Sequence, residues 1–364
     1  MSHKSIIPQP GILNISPYVA GKSAATGGNR VTKLSANENP HGPSPLAKAA
    51  YIEAAGSLEV YPNSSHAPLR AALAEVHGVE AERIICGAGS DEIISFLCNT
   101  YAGPGDEVLY SQYGFAMYPI SAMAAGATPV QATETNLHTD VDALLAACTP
   151  RTKLVFVANP NNPTGTMVSE AEIQRLAEGL PPQALLVLDG AYAEFVEGFN
   201  GHAALVEARD NVIMTRTFSK IFGLGGARIG WGYGPAHVID ALNRVRGPFN
   251  VSAAALAAAE AAVQDVDYTE HCRAENEKWR GWLREALASL GLPSVQSFTN
   301  FIMPQFESAD AATAADAYLQ TRGLVVRALS GYGLPTHLRI TIGDEIACRA
   351  VTSALSDFMK GARA

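Results

Sequence analysis

NVIMTRTFSKIFGLGGARIG, residues 211–230, is the stretch on which the interpretation of the whole chain depends. Its apolar run 212–214 predicts a buried strand. Lys220 follows that strand and is flanked by the apolar side chains of Phe218 and Ile221. Removing an amine from water lowers its pKa, and the neutral amine attacks carbonyl groups. We therefore predict that Lys220 is a nucleophile in a ligand site.

Two side chains close to Lys220 in the sequence suit a phosphate group. Ser219 offers a hydroxyl donor, and Arg228 offers a planar guanidinium that binds oxyanions with two hydrogen bonds. An amine nucleophile beside a phosphate site indicates pyridoxal phosphate, which a lysine carries as a Schiff base. The alternative is an ordinary surface lysine after a turn, because short motifs give many false positives.

Three glycines in this stretch, Gly223, Gly225 and Gly226, weakly resemble a dinucleotide-binding loop. Such a loop needs an acidic residue about 20 positions further on, after a strand. Asp240 has roughly that spacing, but it lies in a stretch with a helical pattern. The dinucleotide interpretation is therefore rejected.

The composition is typical of a soluble globular protein with a large core. The chain has 364 residues, of which 48% are hydrophobic and 17% charged, and this length is enough for two domains. A net charge of −9 argues against nucleic acid or an anionic membrane as a partner. The five cysteines have no paired short spacing, so reduced thiols and no metal site are expected. Because the chain lacks a long apolar run and a signal-peptide pattern, a cytoplasmic protein is predicted.

The pattern along the chain predicts an N-terminal arm and two domains. Residues 1–45 are rich in proline and glycine, and we expect an arm that packs on the small domain or on a partner subunit. Residues 46–247 alternate short apolar strands with helices, which predicts a mostly parallel sheet covered by helices on both faces. Residues 248–364 predict a smaller α+β domain. The fold class is therefore α/β, with ligand sites expected at the carboxyl ends of the strands.

Individual elements follow from the apolar runs and the turn residues. In the large domain, strands are predicted at 83–86, 107–110, 154–158, 184–188, 212–214 and 228–233, and helices at 46–56, 66–77, 91–101, 114–125 and 169–179. In the small domain, helices are predicted at 252–264, 267–290 and 344–360, with short strands around Phe301, Val325 and 338–342.

Polar side chains and glycines stand where the predicted strands end. Residues 87–90, Gly-Ala-Gly-Ser, open a helix, so their amides and the Ser90 hydroxyl form either an anion site or an ordinary helix cap. Asp189 ends an apolar strand, where a carboxylate needs a cation such as a pyridinium nitrogen. Tyr192 and Asn162 follow strands too, and each would reach the phenolic oxygen of the same ring. For Asn162 the alternative is a plain proline turn.

Four further residues are candidates for contact with a ring or an anionic group. Tyr113 follows a strand and would either stack on a flat ring or pack in the core. Tyr61 lies in a loop, with its hydroxyl available to a phosphate. Arg327 and Arg339 lie in predicted strands, where a buried arginine needs a substrate carboxylate, a phosphate or a structural ion pair.

Taken together, these motifs resemble those of the fold-type I pyridoxal-phosphate aminotransferases, and within that class those of the histidinol-phosphate aminotransferases. The motifs, in the order of that family, are Leu34-Ser-Ala-Asn-Glu-Asn-Pro, Tyr61-Pro, Gly89-Ser-Asp-Glu, Asn162-Pro-Thr-Gly, Asp189 with Tyr192, Ser219-Lys220 and Leu338-Arg-Ile-Thr-Ile-Gly. Arg228 follows Lys220 at the family's spacing. Gly190 departs from the pattern, where alanine is common, and is expected to loosen the end of the strand.

The resemblance implies a role for each motif residue. It implies that Lys220 carries pyridoxal 5′-phosphate covalently and that its phosphate is held by Ala88, Gly89, Ser90, Thr217, Ser219 and Arg228. It implies stacking on the ring by Tyr113, contacts with the ring edge by Asn162, Asp189 and Tyr192, and binding of the substrate's anionic end by Tyr18, Arg327 and Arg339. Tyr61 would reach the cofactor phosphate of the neighbouring subunit, so a homodimer is expected.

The resemblance also implies an activity. Histidinol phosphate would give its amino group to 2-oxoglutarate, forming glutamate, with Lys220 as the base that moves the α-proton. Two other activities stay open: transamination of aromatic amino acids, because an arginine pair binds a carboxylate as readily as a phosphate, and decarboxylation of threonine phosphate on a similar scaffold. A non-catalytic regulator is not favoured, because no basic helix-turn-helix segment precedes the cofactor-binding part.

Overall fold

The computed structural model describes residues 6–9, 11–17 and 31–361, so the predicted substrate residue Tyr18 lies outside the described residues. The helices are α1 (Pro45–Ala54), α2 (Ala67–His77), α3 (Ser90–Tyr101), α4 (Met117–Ala124), α5 (Val141–Ala147), α6 (Glu170–Gly179), α7 (Ala203–Ala208), α8 (Ala236–Val245), α9 (Ala253–Gln264), α10 (Val266–Ser289), α11 (Ala309–Thr321) and α12 (Glu345–Gly361). The strands are β1 (Thr32–Lys33), β2 (Ile84–Gly87), β3 (Glu107–Ser111), β4 (Thr128–Ala132), β5 (Glu134–Thr135), β6 (His138–Thr139), β7 (Thr152–Ala158), β8 (Leu185–Asp189), β9 (Val212–Thr217), β10 (Gly230–Tyr233), β11 (Phe301–Ile302), β12 (Leu324–Val325), β13 (Arg327–Ala328) and β14 (Leu338–Thr341). Within the described ranges, no helix has both the length and the apolar character needed to cross a membrane.

In the described part of the chain, seven strands form the central sheet, in the order β2-β10-β9-β8-β7-β3-β4. Neighbouring strands are parallel except at β10, which runs antiparallel to β2 and β9. Strands β2, β3, β8 and β9 are buried along their whole length, as expected when helices cover both faces of a parallel sheet. The predicted α/β fold with a mostly parallel sheet is confirmed.

Successive side chains of the central strands enter two separate cores. Leu185 and Val187 of β8 pack in the core that contains α3, α4 and α8. Leu186 and Leu188 of the same strand pack on the opposite face, in the core that contains α2, α6 and α9. This alternation follows from the two-residue period of a strand. Because helices occupy both faces, a ligand site is expected at the carboxyl edge of the sheet.

Several elements, among them β4 and α11, were not predicted from the sequence. The strand β4 lies at the end of the sheet beside β3, and most of its side chains are accessible, so it lacks the apolar run of an inner strand. The buried face of α11 consists largely of small side chains such as Ala312 and Ala315. Small residues give a weak helical hydrophobic pattern, so contacts with distant residues rather than local sequence define both elements.

The C-terminal part of the chain forms a smaller α+β unit. Strands β11, β14 and β13 make an antiparallel sheet, and β1 from the N-terminal arm pairs in parallel with β12. The core of this unit joins α10, α11 and α12 through residues such as Leu283, Leu319 and Val351. Residues 32–33 of the arm therefore belong structurally to the smaller unit.

The domain boundary after residue 247 stays a prediction, but the packing favours a later position. Helix α9 lies against α1 and α2, and its Ala255 and Ala258 belong to the core of the large sheet. Along α10, Cys272 belongs to that same core, whereas Leu283 belongs to the core of the smaller unit. We propose that the two units meet within α10.

Candidate active site

A cavity of about 320 Å³ lies at the carboxyl ends of β7, β8 and β9. The arm and the strands β13 and β14 of the smaller unit also contribute residues to its wall. Parallel strands bring side chains that are far apart in sequence to one edge of a sheet. The predicted site residues that line the cavity are Ser90, Asn162, Asp189, Tyr192, Thr217, Ser219, Lys220, Arg228, Arg327 and Arg339.

Lys220 lies in the turn that follows β9 and lines the cavity. Its Nζ donates a hydrogen bond to the carbonyl oxygen of Ala36 at 3.2 Å and lies 5.8 Å from the centre of the Tyr192 ring. Burial, with the positive charge of Arg339 as the second cause, lowers the pKa of the Lys220 amine to about 8. Far more of this amine is neutral near neutral pH than in an ordinary lysine, which suits a nucleophile.

Asp189 is the last residue of β8 and is buried beside the cavity. Its Oδ2 accepts a hydrogen bond from the Tyr118 hydroxyl at 2.8 Å, and its Oδ1 accepts one from the Ala191 backbone N–H at 3.2 Å. Burial raises the pKa of Asp189 to about 6, so the carboxyl is mostly ionised at neutral pH. A buried carboxylate at the wall of a cavity fits a ligand with a cationic ring nitrogen.

Arg228, Ser219 and the start of α3 form a corner of the cavity that suits an anion. Arg228 has a left-handed backbone, with φ of 54°, and donates to the Ser219 Oγ at 3.1 Å and to the Asp91 Oδ2 at 3.3 Å. Gly89 has a φ of 88°, which favours glycine, and the absence of a Cβ there leaves space for Arg228 Nη2, which lies 2.5 Å from where that Cβ would stand. Ser90 begins the helix beside them, where backbone dipoles favour negative charge.

The backbone amides of Ala88 and Gly89, in contrast, already have partners inside the protein. The Ala88 N–H donates to the Glu92 Oε2 at 2.7 Å, and the Gly89 N–H donates to the Gly87 carbonyl oxygen at 2.8 Å. Glu92 also accepts a hydrogen bond from Asn250 at 2.7 Å, which connects this loop to the segment before α9. The predicted role of the two residues as direct phosphate ligands stays a prediction.

Arg327 and Arg339 give one side of the cavity a positive charge. They are direct neighbours on the paired strands β13 and β14. Arg339 is buried, and its guanidinium donates to the Ser35 carbonyl oxygen at 2.9 Å and to the Asn162 Oδ1. Its charge also lies 5.2 Å from the centre of the Phe301 ring. The guanidinium pair suits the anionic end of a substrate.

Tyr192 is buried at the cavity wall, and the arm fixes its hydroxyl. The Tyr192 hydroxyl accepts a hydrogen bond from the Asn37 side-chain amide at 2.7 Å. Asn37 in turn accepts one from the Thr341 hydroxyl at 3.1 Å, which ties the arm to β14. Burial raises the pKa of Tyr192 to about 12, so its hydroxyl stays protonated and available as a donor to a ligand.

The sequence profile of the family described as "Aminotransferase class I and II" matches residues 29–355. The chain belongs to this family. Its sequence is 66% identical to a histidinol-phosphate aminotransferase of Ruegeria sp. (strain TM1040), over 98% of this chain and 99% of that relative. It is 61% identical to a histidinol-phosphate aminotransferase of Dinoroseobacter shibae, over 97% of this chain and 98% of that relative.

Solved aminotransferase structures share the fold. A histidinol-phosphate aminotransferase from Sinorhizobium meliloti, solved in complex with pyridoxal-5′-phosphate, has a TM-score of 0.90 and 27% identity, covering 99% of this chain and 100% of its own. An aspartate aminotransferase from Thermus thermophilus, solved with maleate, has a TM-score of 0.80 and 24% identity, covering 91% of this chain and 92% of its own. The second similarity shows the fold alone.

Two side chains of this aminotransferase that were predicted to contact the cofactor's ring or phosphate lie away from the cavity. Tyr113 packs against the small cluster that contains Met303, Leu329 and Leu334, rather than lining the cavity. Tyr61 is 77% exposed, and its ring stacks on that of Phe249 with 4.6 Å between the ring centres. Their roles in cofactor binding stay predictions.

Sequence reasoning missed two residues that shape the site of this aminotransferase. Tyr118 lies in α4, 71 residues before the carboxylate of Asp189 to which it donates. Asn37 has a left-handed backbone, with φ of 58°, which asparagine tolerates better than most residues. Asn37 stands within the quoted Leu34-Ser-Ala-Asn-Glu-Asn-Pro motif, so a signal was present, whereas no local pattern marks Tyr118.

Gly190, the departure from the family pattern, lies against the buried side chain of Arg216. A Cβ at position 190 would be 3.0 Å from the Arg216 Cδ. Arg216 pairs with Glu194 at 2.8 Å and donates to the Asn200 carbonyl oxygen at 3.1 Å. The glycine therefore leaves room for a buried ion pair behind the end of β8.

Proposed function

We propose that this aminotransferase transfers the amino group of L-histidinol phosphate to 2-oxoglutarate, giving imidazole-acetol phosphate and L-glutamate, in histidine biosynthesis. The observation that carries the proposal is one cavity that joins a low-pKa amine, a buried carboxylate, an anion corner and a pair of guanidinium groups. Relatives named histidinol-phosphate aminotransferase, 58–66% identical over nearly the whole chain, support the same activity.

The residues around the cavity fit pyridoxal 5′-phosphate. Lys220 would carry it covalently, Asp189 would hold its ring nitrogen, and the corner at Ser219 and Arg228 would hold its phosphate. Gly89, whose φ of 88° favours glycine, leaves space for Arg228 at this corner, which supports that use of it. The other residues proposed to hold the cofactor are Tyr61, Ala88, Gly89, Ser90, Tyr113, Asn162, Tyr192 and Thr217. When bound, the cofactor's ring accepts the electrons released as the substrate's α-carbon loses its proton.

The chain's own Lys220 would perform the proton transfer. Once the substrate's amine has taken the place of the lysine, the Lys220 Nζ would be free to act as the base that holds and moves the proton of the substrate's α-carbon. A pKa of about 8 suits this work, because the amine is both an effective acceptor and an effective donor near neutral pH.

The substrate's anionic end would lie at the guanidinium pair. Arg327 and Arg339 bind the phosphate of histidinol phosphate in one half of the reaction and a carboxylate of 2-oxoglutarate or glutamate in the other. Tyr18 is proposed to complete this contact. Because both halves use the same cations, each substrate must leave before the other binds.

Screening of amino donors with 2-oxoglutarate as acceptor tests the proposed reaction. We expect kcat/KM for histidinol phosphate to exceed that for phenylalanine by about 100-fold or more, because two guanidinium groups complement the nearly doubly charged phosphate better than the singly charged carboxylate of phenylalanine. Threonine phosphate with no keto acid serves as the control for lyase activity. Preference for phenylalanine would overturn the proposed substrate, and release of carbon dioxide from threonine phosphate would overturn the reaction class.

We also propose that the protein is a cytoplasmic homodimer. The segment from α1 to Tyr61 exposes large apolar side chains, among them Ile52 at 63% and Leu58 at 79%, in addition to Tyr61 at 77%. Several large apolar side chains exposed within one short segment are typical of a protein interface. The five cysteines are free thiols, which suits a reducing compartment. In the dimer, Tyr61 of each subunit would reach the cofactor phosphate of the other.

Mixing two defective variants tests this shared site. The Lys220→Ala dimer and the Tyr61→Ala dimer are each expected to have low activity, the second because its affinity for the cofactor falls. In an equal mixture, half of the dimers are mixed and each contains one intact site, so about a quarter of natural activity should return. Lys220→Ala mixed with Asp189→Ala is the control, because both residues serve the same subunit's site. No recovery in the Tyr61→Ala mixture, with mixed dimers present, would contradict the proposal.

A further inference from the structure

Tyr118 is a fully buried residue of α4 whose hydroxyl reaches the most buried carboxylate of the cavity. The hydroxyl donates to the Asp189 Oδ2 at 2.8 Å, while the Ala191 backbone N–H donates to the Oδ1 at 3.2 Å. Each oxygen of the Asp189 carboxylate therefore has its own donor. Two donors fix the rotation of the carboxylate plane before any ligand arrives.

Aromatic contacts hold the Tyr118 ring in the orientation that this hydrogen bond requires. The ring stacks on Phe156 of β7 with 4.7 Å between the centres and 13° between the planes. Phe115, which lines the cavity, meets the same ring edge-on, with 5.9 Å between the ring centres and 88° between the planes. A Cβ at Gly114 would lie 3.2 Å from the Tyr118 Cδ2, so the glycine leaves space for the ring.

The ionisation states of Asp189 and Tyr118 set the direction of this hydrogen bond, because an ionised carboxylate can only accept. Burial is the first cause that raises the pKa of Tyr118 well above its usual value, and the Asp189 charge raises it further, so Tyr118 stays a donor. Burial raises the pKa of Asp189, with Asp91 of α3 acting in the same direction. The hydrogen bonds from Tyr118 and Ala191 oppose that rise, and Tyr192 is a further titratable group close to the carboxyl.

We propose that Tyr118 is a positioning residue, which holds the Asp189 carboxylate in the orientation that binds the ring nitrogen of the cofactor. This inference rests on the proposed function, because it gives Asp189 a cationic ring nitrogen as its partner. Tyr118 has no contact with the substrate in this role. It acts through Asp189 alone, by fixing the carboxylate and by favouring its ionised form over the neutral one.

The variant Tyr118→Phe tests the inference, because it keeps the stacked ring and removes only the donor. Tyr110→Phe is the matched control, since Tyr110 is another buried tyrosine of the same core. Its ring lies edge-on to that of Tyr118, with 6.2 Å between the ring centres. The first measurement is the Kd of the cofactor-free protein for pyridoxal 5′-phosphate, determined at pH 6 and at pH 8 from the change in protein fluorescence. The second is kcat and KM of the loaded enzyme.

For Tyr118→Phe we expect Kd to rise and kcat to fall by about tenfold each, with KM changed by less than about twofold, because a hydrogen bond to a charged group has been lost. The rise in Kd should be larger at pH 6 than at pH 8, since the carboxyl without this donor is protonated at higher pH. Adding Tyr118→Phe to Asp189→Asn should change Kd no further.

Three outcomes would overturn the inference: equal Kd values for Tyr118→Phe and Tyr110→Phe, no difference between the two pH values, or an additive effect in the double variant. If Tyr118→Phe does not fold, 3-fluorotyrosine at position 118 replaces it. Its stronger hydroxyl donor should move the pH midpoint of cofactor binding downward, and an unmoved midpoint would equally contradict the inference. Failure of the natural protein to bind the cofactor would instead reject the proposed function.

Discussion

Replacing Lys220 with alanine should reduce kcat for transamination by about 10⁴-fold or more and abolish the visible absorption of the lysine-bound cofactor. The loss is large because one amine has two tasks, covalent attachment of the cofactor and movement of the α-proton. Its position supports both, since Nζ lies beside the Tyr192 ring and has a pKa lowered to about 8. Stopped-flow and steady-state assays of amino transfer give kcat, and an absorption spectrum reports the covalent link.

Lys278→Ala is a suitable control for the lysine variant. Lys278 lies on α10, and its side chain is 59% exposed in an ion pair with Glu275 at 3.1 Å. This substitution should leave both kcat and the spectrum unchanged, because exposed ion pairs contribute little to stability. An alanine variant at position 220 that kept its absorption band and more than about a hundredth of kcat would refute the assignment of Lys220.

Asp189→Asn should reduce kcat by about 10³-fold, the second largest effect we expect. The amide has nearly the same shape, and its one oxygen can accept a hydrogen bond from either Tyr118 or the Ala191 N–H, so the loss reports mainly the missing negative charge. Without that charge, the cofactor's ring nitrogen loses its proton more easily, and the ring accepts electrons from the substrate less readily. Rates of a single half-reaction with histidinol phosphate, measured in the absence of keto acid, isolate this step.

The pH dependence of cofactor affinity provides an independent check on Asp189. In the cofactor-free protein its pKa is raised to about 6, so the carboxyl is charged above that pH and neutral below it. The natural protein should therefore bind pyridoxal 5′-phosphate more tightly than Asp189→Asn above pH 6, and the difference should shrink as the pH falls below 6. The exposed Asp210 provides the control substitution Asp210→Asn. A constant difference across this range would show that the charge at position 189 does not matter.

The sequence predicts which residues meet at the centre of the cavity, because they lie at the ends of buried strands that share one edge of the sheet. Asp189 ends β8 and Lys220 follows the neighbouring β9, and the paired residues Asp189 and Thr215 show how closely the two strands bring them together. Apolar runs mark such strands clearly, and parallel strands share one carboxyl edge. Arg228 reaches the same edge because β10 returns antiparallel beside β9.

What the sequence does not predict depends on contacts between distant segments. The hydrogen bond from Tyr118 to Asp189 joins residues 71 positions apart, and no periodic pattern distinguishes Tyr118 from any other core aromatic residue. Similarly, Ala88 stands in a loop with the sequence of an anion site, but its backbone N–H already donates a hydrogen bond to the side chain of Glu92. Local sequence identifies which groups are present, whereas the tertiary packing decides which of them remain available to a ligand.

The ion pair behind β8 constrains how this family member can diverge. Arg216 lies under two glycines, because a Cβ at Gly190 would come within 3.0 Å of its Cδ and one at Gly201 within 2.7 Å of its Nη1. Its partner Glu194 is buried with it, and an unpaired buried charge is costly. Positions 190, 194 and 216 are thus epistatic: a descendant with alanine at 190 gains most if arginine and glutamate are exchanged for smaller, neutral residues in the same lineage. Position 201 differs, because its φ of 70° favours glycine whatever its neighbours are.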